Sequence, residues 1–358
     1  MLKPRATVLN VKSYHPPLGD RQGLRMDFNE NTVGCSPRVL RRLQEISGEQ
    51  LARYPERAPI EAVVAAHLDL QPPELLLTNG TDEAIHLICE TYLEPGAEAL
   101  IVVPTYSMYE IYAAATGAAV ITIPAAEEFR FPVEQLLGRV SEHTRLIAIA
   151  NPNNPTGTLV PASELLRIAA AAPKAAVLVD EAYFEFCHQT VLPVFRQFPN
   201  IFVTRTFSKV YGLAGLRIGI LAGNTEQMSL VRRFGSPYSV NSVALACLPE
   251  AIADQEYIQQ YVDQVLKGRK LLEEELRSLG IKYWPSEANF VLLRIGQRCP
   301  AFISAMRERG ILVRDRSSDP GCAGCVRITL GSTADNTRLL TTLREALVEI
   351  GPAEKVKA

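Results

Sequence analysis

The fold is indicated first by residues 175–183, AAVLVDEAY, in which an apolar run of five residues ends at Asp180. A short run that is apolar throughout is typical of a strand covered on both faces, as in a mainly parallel sheet. Burying a carboxylate at the end of such a strand is costly unless the carboxylate is paired. We therefore expect Asp180 to meet a partner at the carboxyl end of the sheet; a helix N-cap is the alternative.

Comparable runs lie on both sides of this stretch and alternate with helical patterns between residues 75 and 223. The alternation predicts a doubly wound α/β domain with a mostly parallel, seven-stranded sheet. The predicted strands are residues 75–78, 99–103, 119–123, 146–150, 176–179, 201–204 and 216–222, and the helices between them include residues 82–92, 107–115 and 162–171.

The C-terminal part of the chain has a different pattern. A helical face repeats over residues 254–279, and Gly280 is its expected stop. Strands are predicted near residues 290–294, 311–314 and 326–330, with helices near 301–309 and 333–350. This mixture indicates a smaller α+β domain. We divide the chain into an N-terminal arm with part of the small domain (1–46), a large domain (47–250) and a small C-terminal domain (251–358).

The composition excludes several classes of protein. Of the 358 residues, 47% are apolar and 21% are charged, which is ordinary for a globular protein. The formal charge of −2 gives no basic face for nucleic acid. No apolar run approaches the roughly 18 residues of a membrane span, and the first residues lack the apolar core of a signal peptide. We therefore expect a cytoplasmic protein without a nucleic-acid or membrane partner.

The seven cysteines predict neither a disulfide framework nor a metal site. Their number is odd and their spacing is irregular. Cys322 and Cys325 form one close pair, but no second pair and no neighbouring histidines accompany it, as a zinc site would require. We interpret the pair as small residues in a turn.

Lys209 is the most informative residue because of its neighbours. It follows Thr206 and Ser208, and Arg217 lies eight residues further on. A single lysine is ordinarily a surface residue. In the interior its pKa would fall, and the neutral amine could attack an aldehyde and later carry a proton.

Other polar groups supply partners for the rest of such an aldehyde compound. Asp180 could pair with a ring nitrogen, while Asn154 and Tyr183 could donate to a ring hydroxyl oxygen; alone, Asn154 is only part of a proline-rich turn. Tyr106 could stack on the ring, with a buried core tyrosine as the alternative. Pyridoxal phosphate has an aldehyde, a ring nitrogen, a ring hydroxyl and a phosphate. Together these residues predict this cofactor.

The phosphate of the cofactor has a predicted site of its own. One segment leaves a strand and begins a helix, where free N–H groups and the helix dipole favour an anion. Two hydroxyls and a bidentate guanidinium complete the set. The predicted ligands are Gly80, Thr81, Asp82, Thr206, Ser208 and Arg217.

A substrate carboxylate needs a cation of its own. Arg327 is a charge inside a predicted strand of the second domain, where an arginine is commonly an edge residue facing solvent. In a domain that closes over the cofactor, its guanidinium would instead hold that carboxylate.

These motifs together resemble the class I and II aminotransferases of fold type I, which use pyridoxal phosphate, and within them the histidinol-phosphate aminotransferases. The resemblance covers nearly the whole chain. Its motifs are Asn29-Glu30-Asn31, Arg53-Tyr54-Pro55, Gly80-Thr81-Asp82-Glu83, Pro104-Thr105-Tyr106, Asn154-Pro155-Thr156-Gly157, Asp180-Glu181-Ala182-Tyr183, Ser208-Lys209, Gly215-Leu216-Arg217 and Arg327-Ile328-Thr329.

The resemblance implies features that the residues alone do not. It implies a homodimer in which Tyr54 reaches the cofactor phosphate of the partner subunit. It also implies that Arg314 contacts a substrate phosphate, that Tyr14 lies near the substrate, and that Asn154 faces substrate as well as cofactor.

The predicted reaction is a transamination in which glutamate donates an amino group and a 2-oxo compound, imidazole acetol phosphate, accepts it to give L-histidinol phosphate. Arg327 would hold the glutamate carboxylate and, with Arg314, the phosphate; Lys209 would move the proton. A threonine-phosphate decarboxylase and an aromatic aminotransferase are the alternatives with the same cofactor. A regulatory protein with an aminotransferase-like domain is the non-catalytic alternative. A nicotinamide-dependent oxidoreductase lacks its glycine fingerprint here.

Overall fold

The computed structural model describes residues 2–11, 19 and 21–351. The strands in this part of the chain are β1 (Leu24–Arg25), β2 (Leu75–Thr78), β3 (Glu98–Val103), β4 (Ala119–Pro124), β5 (Thr144–Ala150), β6 (Ala176–Asp180), β7 (Ile201–Thr206), β8 (Gly219–Gly223), β9 (Tyr283–Trp284), β10 (Phe290–Arg294), β11 (Ile311–Leu312), β12 (Arg314–Asp315) and β13 (Cys325–Thr329).

The helices of the same residues pack around two larger sheets and one two-stranded sheet. They are α1 (Ala6–Asn10), α2 (Pro37–Gln44), α3 (Gly48–Ala52), α4 (Ala58–His67), α5 (Gly80–Tyr92), α6 (Met108–Thr116), α7 (Val133–Leu137), α8 (Ala162–Ala171), α9 (Thr225–Val231), α10 (Ser242–Ala253), α11 (Gln255–Ser278), α12 (Cys299–Glu308) and α13 (Thr333–Glu349). None of them is long and apolar enough to cross a membrane.

The large sheet contains all seven predicted strands in the order β2-β8-β7-β6-β5-β3-β4. Six strands of this sheet run in one direction, and β8 runs in the opposite direction. Strand β6 is buried along its whole length, with Val177 and Val179 in one apolar cluster and Ala176 and Leu178 in another. Because successive side chains point to opposite faces, both faces of the sheet are covered. The α/β prediction is confirmed.

The prediction of a strand over residues 216–222 is wrong at its start. Ala214–Leu216 forms a 3-10 turn, and Arg217 adopts a left-handed backbone conformation with φ 52°. A strand cannot continue through that conformation, so β8 begins only at Gly219. The turn directs the Arg217 side chain towards the start of α5, where it meets Asp82.

The second sheet has the order β12-β13-β10-β9 and is antiparallel. The single strand predicted over residues 311–314 is wrong, because Val313 separates two strands with different partners. Ile311–Leu312 pairs with Leu24–Arg25 near the N-terminus, and Arg314–Asp315 pairs with β13. A segment near the N-terminus therefore joins the C-terminal part of the chain in this region, although the domain boundaries remain a prediction.

Candidate active site

The carboxyl ends of β5, β6 and β7 open into a cavity of about 600 Å³ between the two sheets. This volume is within the range of small-molecule sites, about 300–1,000 Å³. Parallel strands bring their following loops to one edge, which places distant motifs together. The predicted residues that line the cavity are Thr81, Asp82, Tyr106, Asn154, Asp180, Tyr183, Thr206, Ser208, Lys209, Arg217, Arg314 and Arg327.

Asp180 lies at the end of β6 and is only 5% exposed. Its Oδ2 accepts a hydrogen bond of 2.6 Å from the Tyr109 hydroxyl, and its Oδ1 accepts one of 2.9 Å from Thr204. Burial raises the pKa of this carboxyl, while the two hydroxyls act in the opposite direction. Asp180 is therefore held in a fixed orientation, as a partner for a ring nitrogen must be.

Lys209 is partly buried on the same cavity, and its Nζ donates to the carbonyl oxygen of Phe28 at 3.2 Å. Burial, assisted by the nearby guanidinium of Arg327, lowers the pKa of Lys209 from 10.5 to about 8. The amine also lies 5.9 Å from the centre of the Tyr183 ring. A substantial fraction is therefore neutral near physiological pH, as an attack on an aldehyde requires.

Arg327 links the two sheets at the cavity wall. It is 5% exposed and lies on β13 between β12 and β10, so it is not the solvent-facing edge residue that arginines in strands often are. Its guanidinium donates to Asn154 Oδ1 at 2.5 Å and to the carbonyl of Asp27 at 2.7 Å. A guanidinium held in this way presents a fixed fork to an anion.

The Tyr183 hydroxyl is also fixed, because it accepts a hydrogen bond of 2.9 Å from Asn29. Its ring packs edge-on against Phe290 at 5.2 Å, and burial raises its pKa. The hydroxyl therefore remains protonated and can donate. Tyr183 and Asn154 lie on the same cavity as Lys209, as predicted for partners of a ring hydroxyl.

Three of the predicted phosphate ligands lie together at the start of α5, namely Gly80, Asp82 and Arg217. The helix begins at Gly80, and the side chain of the preceding Asn79 makes no capping hydrogen bond, which leaves first-turn N–H groups for an anion. Gly80 has φ 74°, and a Cβ there would lie 2.7 Å from the Arg217 guanidinium. Arg217 pairs with Asp82 at 2.9 Å. The positive φ favours glycine at this position, and a side chain there would displace the Arg217 guanidinium.

Tyr106 lines the cavity with a hydroxyl that donates to Asp82 at 2.7 Å and a ring set edge-on to Tyr109 at 5.7 Å. Thr206 accepts from the backbone of Ser208 at 3.1 Å, which orders the loop before the lysine. Stacking of Tyr106 on a ring stays a prediction.

One predicted residue, Tyr54, lies away from the cavity. Tyr54 is 79% exposed, does not line the cavity, and packs its ring 4.5 Å from that of Tyr238. Tyr14 lies outside the described residues.

Sequence reasoning missed several residues that hold the site together. Tyr109 and Thr204 fix Asp180, and the backbone carbonyls of Asp27 and Phe28 fix Arg327 and Lys209. Tyr109 carried a signal, because it lies only three residues after Tyr106, in the first turn of α6. The two carbonyls leave no mark in side-chain chemistry, so no signal could have revealed them.

This set of groups fits pyridoxal phosphate. The cavity brings together an amine whose pKa is lowered, a buried carboxylate and two donors for a ring oxygen. Beside them, a helix begins without a side-chain cap and next to an arginine. These groups match the aldehyde, ring nitrogen, ring hydroxyl and phosphate of the cofactor.

Comparison with known proteins supports the same conclusion. The chain is 34% identical over 333 residues to a histidinol-phosphate aminotransferase of Geobacillus sp. (strain WCH70), covering 91% of this chain and 90% of that protein. It is 32% identical over 349 residues to a histidinol-phosphate aminotransferase of Cytophaga hutchinsonii, covering 95% of this chain and 97% of that protein.

The fold matches that of the Sinorhizobium meliloti histidinol-phosphate aminotransferase, whose crystal structure is a complex with pyridoxal-5'-phosphate. The TM-score is 0.89 at 24% identity, and the match covers 98% of this chain and 99% of the other. The sequence model of the family described as "Aminotransferase class I and II" matches residues 21–343. The chain therefore belongs to the class I and II aminotransferases.

Proposed function

We propose that this aminotransferase moves an amino group between glutamate and imidazole acetol phosphate, with L-histidinol phosphate as the product. Its cofactor is pyridoxal phosphate. The observation that carries the proposal is that four side chains line one cavity: Lys209, Asp180, Arg314 and Arg327. The two arginines lie on the paired strands β12 and β13. The histidinol-phosphate aminotransferases that are 30–34% identical to the chain support this choice of substrate.

Each residue has a role that follows from its position. When bound, pyridoxal phosphate supplies an aldehyde and an electron-withdrawing ring. Asp180 would pair with the ring nitrogen, Asn154 and Tyr183 would donate to the ring oxygen, and Tyr106 would cover the ring. The phosphate would be held by the ligands at the start of α5 and in the loop before the lysine: Gly80, Thr81, Asp82, Thr206, Ser208 and Arg217.

Lys209 would carry the proton at the substrate α-carbon. Its pKa of about 8 allows the amine both to accept and to release a proton near neutral pH, which is where a general base is most effective. Arg327 would orient the substrate carboxylate through its guanidinium fork in the glutamate reaction. With Arg314 it would hold the phosphate in the other half of the reaction.

The assembly proposed is a homodimer in which Tyr54 reaches the cofactor phosphate of the partner subunit. An exposed fraction of 79% supports this role, because such a side chain is available to a second chain. We place Tyr14 near the substrate, retain the domain boundaries at residues 46/47 and 250/251, and expect a cytoplasmic enzyme.

The test is a half-reaction screen. The cofactor-loaded protein is mixed with glutamate, the cofactor absorbance is followed, and oxo compounds are then tested for reversal of the change. Imidazole acetol phosphate should restore the spectrum far faster than phenylpyruvate, and Lys209→Ala should abolish turnover. Faster recovery with phenylpyruvate would identify an aromatic aminotransferase, and release of carbon dioxide from threonine phosphate would identify a decarboxylase.

A further inference from the structure

A third arginine, Arg316, lines the cavity on the same wall as Arg314 and Arg327. Arg314 and Arg327 are directly opposite each other in the β12–β13 pair. The pairing continues just beyond β12, because the backbone N–H of Arg316 donates a hydrogen bond of 3.0 Å to the carbonyl oxygen of Cys325. Side chains two residues apart on an extended segment point to the same face. The three guanidiniums therefore share one face.

Like charges in such positions repel one another. A directly opposed pair of equal charges destabilises a sheet, and the lysine on the same cavity adds another cation. Arg316 is compensated by an ion pair with Asp319, and the side chains of the two residues are 15% and 21% exposed. Burial raises the pKa of the Asp319 carboxyl, and the charges of Arg316, Arg327 and Arg314 act against that rise. This wall therefore has a positive field that favours an anion.

The Arg316 guanidinium retains capacity for a ligand. Its Nη2 pairs with Asp319, while its Nε is buried without a hydrogen-bond partner in the described part of the chain. A buried donor without a partner is unfavourable. The ion pair fixes the guanidinium at the wall, which leaves Nη1 as the donor for an oxygen atom in the cavity.

The number of cations distinguishes between ligands. A carboxylate has one negative charge and two oxygens, which a single guanidinium fork satisfies. A phosphate monoester has up to two negative charges and three free oxygens, and it can use several forks at once. A wall of three arginines therefore exceeds the two forks that the two carboxylates of glutamate can use, and it matches the three free oxygens of a phosphorylated substrate.

We propose that Arg316 is a third guanidinium contact for the substrate phosphate and that it selects phosphorylated substrates over carboxylate substrates. This inference rests on the proposed function, because it refines the substrate class of the same site. Asp319 is a positioning residue that holds Arg316 towards the cavity.

The test compares two half-reactions of the holoenzyme in Arg316→Gln. The change in cofactor absorbance is measured against the concentration of L-histidinol phosphate and, separately, of glutamate. The loss of one charge-assisted contact should weaken apparent binding of histidinol phosphate about 10- to 100-fold, with less than about a threefold change for glutamate. Arg316→Lys, which keeps the charge without the fork, should give an intermediate loss.

Inorganic phosphate gives a second readout that does not depend on histidinol phosphate. It should compete with glutamate in the wild-type enzyme and much less in Arg316→Gln. The matched control is Arg344→Gln, because Arg344 forms an ion pair with Glu275 on the outer surface, away from the cavity. The control should leave both half-reactions and phosphate competition unchanged.

Equal losses for histidinol phosphate and glutamate in Arg316→Gln would overturn the inference, since they would indicate a purely structural ion pair. Unchanged binding of both histidinol phosphate and inorganic phosphate would overturn it as well. If wild-type enzyme ignores histidinol phosphate while phosphate competition still depends on Arg316, the proposed substrate is wrong and the phosphate contact stands.

Discussion

Removing the partly buried amine of Lys209 should stabilise the cofactor-free protein. Without cofactor, the amine has a carbonyl oxygen as its hydrogen-bond partner and faces the charge of Arg327, and its pKa is lowered to about 8. A lowered pKa means that the folded state binds the proton less tightly than the unfolded state does. Folding is therefore opposed whenever the unfolded lysine is protonated. Lys209→Met removes this opposition while keeping an unbranched side chain of similar length.

The size of the effect follows from the difference between the two pKa values. A fall from 10.5 to about 8, at about 1.36 kcal/mol per pKa unit, corresponds to roughly 3 kcal/mol. This is an upper value, because the side chain is only partly buried. The full penalty applies below about pH 8, decreases as the pH rises from about 8 to 10.5, and vanishes above that range. The stability gained by Lys209→Met should therefore be largest at pH 7 and small at pH 10.5.

The assay is urea unfolding of the cofactor-free wild-type and variant proteins at a series of pH values from 7 to 10.5. The difference between the two proteins is the relevant quantity, because titration of other groups affects both equally. Lys270→Met, at an exposed position on α11, serves as the matched control for loss of a surface lysine. A difference that does not depend on pH, or one that grows with pH, would refute the reasoning.

Three further predictions concern the cofactor. Asp180→Asn should lower the rate of the glutamate half-reaction by about 100-fold or more, because a buried, oriented charge is lost. Stopped-flow absorbance measures this rate, and an unchanged rate would contradict the role assigned to Asp180. Gly80→Ala should weaken cofactor binding, because its Cβ would lie 2.7 Å from the Arg217 guanidinium and because the left-handed conformation costs an alanine about 1–2 kcal/mol. Equilibrium dialysis against pyridoxal phosphate checks this prediction. The control is Gly48→Ala, whose Cβ would meet no atom within 4 Å. Tyr109→Phe should weaken cofactor binding by about 1.5–3 kcal/mol through loss of the hydroxyl bonded to Asp180; fluorescence titration would reject this if the affinity stayed the same.

The alternating pattern of residues 75–223 was sufficient to predict the large sheet. All seven of its strands overlap the predicted segments, and three of them, β2, β4 and β6, start at the predicted residue and end within one residue of the predicted end. Strands such as β6 are apolar throughout and end in polar groups, so local sequence alone marks them. The errors lie where tertiary contacts decide. Residues 311–314 form two strands because the first pairs with Leu24–Arg25, nearly three hundred residues earlier in the chain.

The sequence by itself determined which chemical groups this protein has and at which strand ends they lie, because a strand and its following loop are encoded by neighbouring residues. Only the tertiary structure decided which groups touch. Tyr109 reaches Asp180 across 71 residues, and Asp27 offers its carbonyl to Arg327 across 300. A hydrogen bond acts over about 3 Å between atoms of specific orientation, and such contacts between distant segments leave no periodic signal in the chain. The same limit hid Arg316, whose place on the cavity wall depends on the pairing of β12 with β13.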